Sequence, residues 1–183
     1  MYFQNFPLIP YDSVGDGQYK LVTNLLKRVA LRAKVRTNTL LFDTYNVQEG
    51  QTPEMIADKL YGDPNLHWIV MYVNNITDRY HQWPMTTPQF LAFLNDKYSD
   101  PDGLHHYEIP QTSGDTTVMI NVGTDITDSD GRNIYSRGEF TTITNREFEE
   151  KRQDTLRSIR LLDPAYVDQF VEEFENLMGA SVL

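Results

Sequence analysis

There is no cysteine among the 183 residues, which removes disulfide scaffolds, cysteine-ligated zinc and thiol catalysis together. No apolar run approaches the roughly 18 residues that a membrane-spanning helix requires. The first residues carry no basic segment followed by an apolar one, so neither a span nor a signal peptide is expected. Positive charge is scarce: 16 Lys and Arg stand against 26 Asp and Glu. The resulting net charge of −10 argues against a general nucleic-acid binder. A glycine-rich phosphate loop, a G-x-S-x-G elbow and an HExxH pair are also missing. What is present is an ordinary hydrophobic fraction of 40%, in a chain long enough for one domain or two small ones.

Residues 45–75 organise the chain. Tyr45, Asn46 and Val47 alternate like a short strand, and Glu49-Gly50 turns it. Thr52 stands at an N-cap position before Pro53 and Glu54, an order that suits the orphan amides and positive end of a helix. Ile56, Ala57 and Leu60 recur at helical spacing, and Gly62 closes the helix. Asp63-Pro64 repeats the start signal, and Leu66, Ile69, Val70 and Val73 make a second apolar stripe. Both helices are too short to stand alone, so they must pack on each other and on a small sheet.

Residues 1–19 are expected to be an extended arm, because Pro7 and Pro10 break any helix. Residues 20–36 hold six Lys and Arg and no acid. Their apolar positions, Val22, Leu25, Leu26, Val29 and Ala33, predict an amphipathic basic helix. Further on, a short helix starts at Thr87-Pro88. Strands are expected over residues 106–109, 116–122, 133–135 and 139–144. Thr144 and Glu147 form a capping box that opens a charged helix to about residue 155. Residues 159–162 read as a strand. Asp163-Pro164 then starts an amphipathic helix with an apolar stripe from Val167 to Met178 and an acidic opposite face, stopped by Gly179.

Little here points to catalysis. His105 and His106 alternate on a predicted strand, so their rings should face apart and not share a metal. Asp128-Ser129-Asp130-Gly131 is similar to a calcium loop but lacks the acids needed at positions 126 and 137, so a hairpin turn is expected. Nothing sets two carboxylates in a cleft. No enzyme activity, metal or cofactor is expected.

Tyr45, Val47, Gly50, Gln51, Thr52, Ile56, Ala57, Leu60, Tyr61, Gly62, Leu66 and Asn74 or Asn75, with Trp68 in the second helix, resemble the LysM module. That resemblance implies a missing second strand, which residues 159–162 should supply by pairing with the strand near residues 45–47. The fold expected is α+β: a LysM-like β-α-α-β core, an inserted antiparallel β/helix region and a C-terminal helix. Its segments are an arm at 1–19, basic helix and core at 20–76, insertion at 77–145, and charged helix, returning strand and last helix at 146–183.

The order of further pieces resembles the baseplate wedge subunit of contractile-tailed bacteriophages that carries a LysM-like domain. Those pieces are the arm Phe3, Phe6, Pro7, Ile9, Tyr11 and Asp12; the Leu66 to Val70 core; Trp83-Pro84; His106-Tyr107-Glu108; and Lys151-Arg152 leading to residues 159–162. The resemblance implies a structural virion protein of the tail baseplate, assembled in the host cytoplasm, whose partners are other wedge and tail-hub proteins. Nucleic acid and membrane have no part in it. Phe3, Phe6, Pro7, Ile9 and Tyr11, with Arg28, Arg32 and Lys34, are the expected partner-binding residues, and the arm should pack mainly on another subunit. The alternative is a LysM-type peptidoglycan- or glycan-binding module, whose second loop the long insertion would displace.

Overall fold

The computed structural model describes residues 6–27, 29, 41–110, 117–123 and 140–179. In chain order they form β1 (Leu8–Tyr11), β2 (Lys20–Thr23), β3 (Phe42–Asn46), α1 (Pro53–Tyr61), α2 (His67–Val73) and the short α3 (Arg79–Gln82). Then come α4 (Thr87–Lys97), β4 (Leu104–Pro110), β5 (Thr117–Asn121), β6 (Thr141–Thr144), α5 (Asn145–Arg157), β7 (Ser158–Leu162) and α6 (Val167–Gly179). The fold is α+β. It divides into two compact units: the first joins residues 1–83 to 157–183, and the second is residues 84–156.

In the first unit β3 and β7 pair antiparallel, with Tyr45 opposite Ile159 and Phe42 opposite Leu162. The strand expected at residues 159–162 therefore does return beside the one near residue 45. Between them lie two helices whose ends follow the sequence signals. Thr52 caps α1 by accepting from the Met55 N–H, and Gly62 ends it at φ 72°, donating its N–H to Asp58. Asp63 caps a 3₁₀ turn at Pro64–Leu66 that leads into α2.

Although only seven residues long, α2 is buried on two sides. Trp68, Ile69 and Val73 join Phe6, Leu162, Val167, Phe174 and Met178 in one core cluster. Val70 turns the other way, toward Ile56, Ala57, Val47, Trp83, Ile159 and Leu161. Ile69 thus belongs to the cluster shared with α6, whereas Val70 belongs to the one shared with Ile56 and Ala57 of α1. The 100° step between neighbouring helix positions separates the two residues.

A further expectation is corrected at the N-terminal end. Residues 20–23 are a strand and not the start of a basic helix. The strand β2 pairs antiparallel with β1, Ile9 opposite Val22 and Tyr11 opposite Lys20. The connecting loop explains it: Asp12 accepts from the N–H groups of Val14, Gly15 and Gly17, and both glycines have φ near 80°. An Asp-Gly turn of this kind reverses the chain and makes a hairpin, so Val22 pairs across it before helical spacing can act. Residues 24–27 follow as a turn and not a helix, and of the rest of the expected helix only residue 29 is among the described residues. The strand expected at 133–135 and the turn at 128–131 lie outside them too.

The second unit has the sheet order β5-β4-β6, both pairings antiparallel. The Thr144–Glu147 capping box forms in both directions and opens α5. Leu94, Ile120 and Ile143 are buried there beside three polar residues, His106, Glu149 and Gln153.

Candidate functional site and interaction surfaces

The LysM-like residues hold the first unit together. Tyr45 donates its hydroxyl to Gln51 Oε1 at 2.9 Å, and the same oxygen accepts from the Gln48 N–H at 2.9 Å, which fixes the turn at Gly50. Tyr61 donates to the Leu162 carbonyl across the unit, and burial pushes its phenol up to about 12. Val47, Ile56 and Ala57 are core, as is Trp68 in the opposite cluster.

The asparagine that ties α2 to the returning strand is Asn74. Its amide donates to the carbonyls of Val70 and Arg160, and its carbonyl accepts from the Arg160 N–H at 2.8 Å. Asn75 instead takes the left-handed backbone, φ 56°, that turns the chain away.

The two loops that flank the helices are bound to each other. The buried Trp83 donates its indole N–H to the Gln51 carbonyl at 2.8 Å, and Arg79 pairs with Glu54 at 2.8 Å.

The structure divides the expected partner-binding residues. Phe6 is 8% exposed and sits in the chain's own core, so its expected role as a docking anchor is corrected. Pro7 and Ile9 are half-buried, whereas Tyr11 is 55% exposed. Phe3, Arg28, Arg32 and Lys34 lie outside the described residues.

Sequence reasoning missed how apolar the hairpin surface is. Besides Tyr11, it leaves Leu8, Tyr19, Leu21, Leu25 and Leu26 exposed. The readable signal was the Gly15-Asp16-Gly17 turn between two short apolar runs. On the second unit, β5 and its following turn expose Val118, Met119 and Val122.

The histidines also depart from expectation. A register shift between Leu104 and His106 breaks the strand alternation, and the two rings meet with their Nδ1 atoms 2.8 Å apart. One must donate and the other accept, so at least one imidazole is neutral. Burial, and then the neighbouring His106, pushes His105 below the usual histidine range, and its ring stacks on Phe148 at 4.0 Å. Near them Glu149 is fully buried and accepts from Lys97 and from the Tyr98 hydroxyl. Burial raises its carboxyl, but these two donors outweigh that and hold it below the usual range. No group of three or more His, Asp or Glu among the described residues is arranged to hold a metal ion.

What the two units present outward is apolar strand surface, the chemistry of protein association. Comparison with known proteins gives that chemistry a setting. The family model described as Base plate wedge protein 53 matches residues 19–176, and the chain belongs to that family. "Baseplate wedge protein gp53" of Enterobacteria phage T4 is 20% identical over 189 residues, covering 97% of this chain and 89% of that protein. The protein is a structural component of a viral tail baseplate. No described helix is long and apolar enough to cross a membrane.

Proposed function

We propose that the protein joins neighbouring baseplate wedge and tail-hub proteins through protein–protein contacts and carries no catalysis. The observation behind this reading is that each compact unit has its own exposed apolar strand, β1–β2 on one and β5 on the other. Two separate apolar surfaces suit a connector, which must hold two neighbours at once. Tyr11, with Phe3, Pro7, Ile9, Arg28, Arg32 and Lys34, is proposed to face those neighbours, and the LysM-like residues serve packing. Sedimentation of the co-expressed wedge proteins tests the reading. With this chain they should form the joined species, and without it only smaller subassemblies. Full joining in its absence would reject the connector role.

The geometry lends glycan binding no support. The Gln51 carbonyl and the Glu54 carboxylate, on one flanking loop, are already bound by Trp83 and Arg79 from the other. A sugar would have to displace both contacts. Purified peptidoglycan should therefore retain no more of this protein than of an unrelated acidic control.

A further inference from the structure

The second unit holds a contact that works only while it is short of protons. His106 lies on β4 at 2% exposure, and the half-buried His105 beside it stacks on Phe148 of α5, the two rings 12° from parallel. The Nδ1 atoms of the histidines stand 2.8 Å apart, so one carries a hydrogen and the other a lone pair. The surroundings decide which. His106 Nε2 stands 3.5 Å from Glu108 Oε1, an oxygen that can only accept, and therefore carries its hydrogen there. In the neutral ring that leaves His106 Nδ1 bare, and His105 Nδ1–H donates to it.

The charged groups around the pair come from three elements. Glu108 of β4 is itself bound to Lys151 of α5 at 2.8 Å. Glu149 of α5, paired with Lys97 and Arg152, favours charge on His105. Burial opposes that charge most, followed by His106, and Lys97 of α4 opposes it too. Across the sheet His106 stands opposite the uncharged Asn121 of β5 and Ile143 of β6. One added proton can sit on His105 Nε2 and leave the bond intact. A second has only His106 Nδ1 to go to, where it sets two donors and two positive charges face to face.

We infer that His105 and His106 form an acid-released latch of the second unit, closed while at least one ring is neutral and open when both are protonated. The inference stands independently of the connector reading. The unfolded chain takes both protons once pH falls below the ordinary 6.5, whereas the closed latch refuses the second. The latch's stability is therefore complete above 6.5 and lost as pH falls below it. That window lies above the one of Glu149, whose loss starts from 4.5. Both histidines lie within residues 84–156, so the unit made by residues 1–83 and 157–183 should keep its stability.

Two measurements on the full chain test the latch. Nitrogen-15 NMR at about pH 7.5 should find the neutral His105 ring protonated at Nδ1 and the His106 ring at Nε2. Between about pH 7.5 and about pH 5.5, hydrogen exchange corrected for its intrinsic pH dependence should lose about tenfold in protection over residues 104–110 and 145–157. Residues 53–61 and 67–73 should lose less than about twofold. The double variant His105→Asn/His106→Asn, whose amides can replace the bond without titrating, should show no such loss.

Both neutral rings protonated at Nε2 in the parent would mean that they do not bond, and would overturn the inference whether or not the double variant folds. Undiminished protection in the parent at the lower pH would overturn it as well. So would an equal loss in both units, or the parent's full loss in the double variant.

Discussion

Asn74 shows how much of the first unit depends on single polar side chains. One amide spans the end of α2 and both backbone groups of Arg160, so α2 and β7 keep one register. Asn74→Ala should cost about 1–3 kcal/mol in urea denaturation, because it strands backbone groups that are partly out of water. The sequence made an asparagine at this point legible but not which of the two adjacent ones it was. Only the backbone sign at Asn75 decides that.

Tyr61 gives a pH test. Its folded value, about 12, lies above the ordinary 10.0, so the neutral phenol is favoured in the fold. Its contribution is complete below pH 10 and is lost as pH rises toward 12, because the unfolded chain ionises first. Tyr61→Phe should flatten that alkaline loss while costing about 0.5–1.5 kcal/mol at neutral pH. An equal alkaline slope in both proteins would show the phenol to be accessible.

Glu149 runs the opposite way. Its lowered value means stability that is present above the ordinary 4.5 and lost as pH falls below it. Glu149→Gln should remove part of the acid sensitivity in a pH melt series. Nothing in the sequence marked Glu149, because helix-face glutamates are usually solvated and only the fold brings Lys97 and Tyr98 to it.

At the level of elements, start and stop signals were the legible part. Thr52, Gly62, Asp63 and the Thr144–Glu147 box all act locally, through backbone groups within four residues, and all stand where the sequence put them. Gly62→Ala should cost about 1–2 kcal/mol although nothing lies within 4 Å of the added methyl, because the cost is in the left-handed backbone. A thermal melt equal to the parent's would mean that the helix can end another way.

The burial of α2 on two sides makes Ile69→Ala a sharper probe. At 0% exposure its truncation should cost about 2–5 kcal/mol, a loss that weakens the cluster α2 shares with α6. What stayed illegible were features set by distant pairing. Val22, Leu25 and Leu26 fit a helical stripe, but Val22 pairs with Ile9, thirteen residues earlier, and strand pairing overrides propensity in so short a segment. The returning strand β7 was found because β3 needed a partner, a demand made by the whole sheet.

Across the whole molecule, an acidic protein carries a basic, apolar N-terminal segment and a separate unit with an apolar strand of its own. The composition excluded thiol chemistry and transmembrane helices, and the order of motifs pointed to the baseplate family. It could not show which apolar residues stay outside, since Phe6 and Leu8 stand two positions apart and only one of them is buried. On the connector reading, the two surfaces hold two different neighbours.

Wedge complexes purified through Leu21→Glu and through Met119→Lys test this most directly, with the proteins retained identified by gel. Lysine at position 119 stands opposite Glu108 on β4, so the sheet should tolerate it. Each variant should lose one neighbour and keep the other, and the two lost should differ. Loss of the same neighbour by both variants, or of none by either, would contradict the two-neighbour reading.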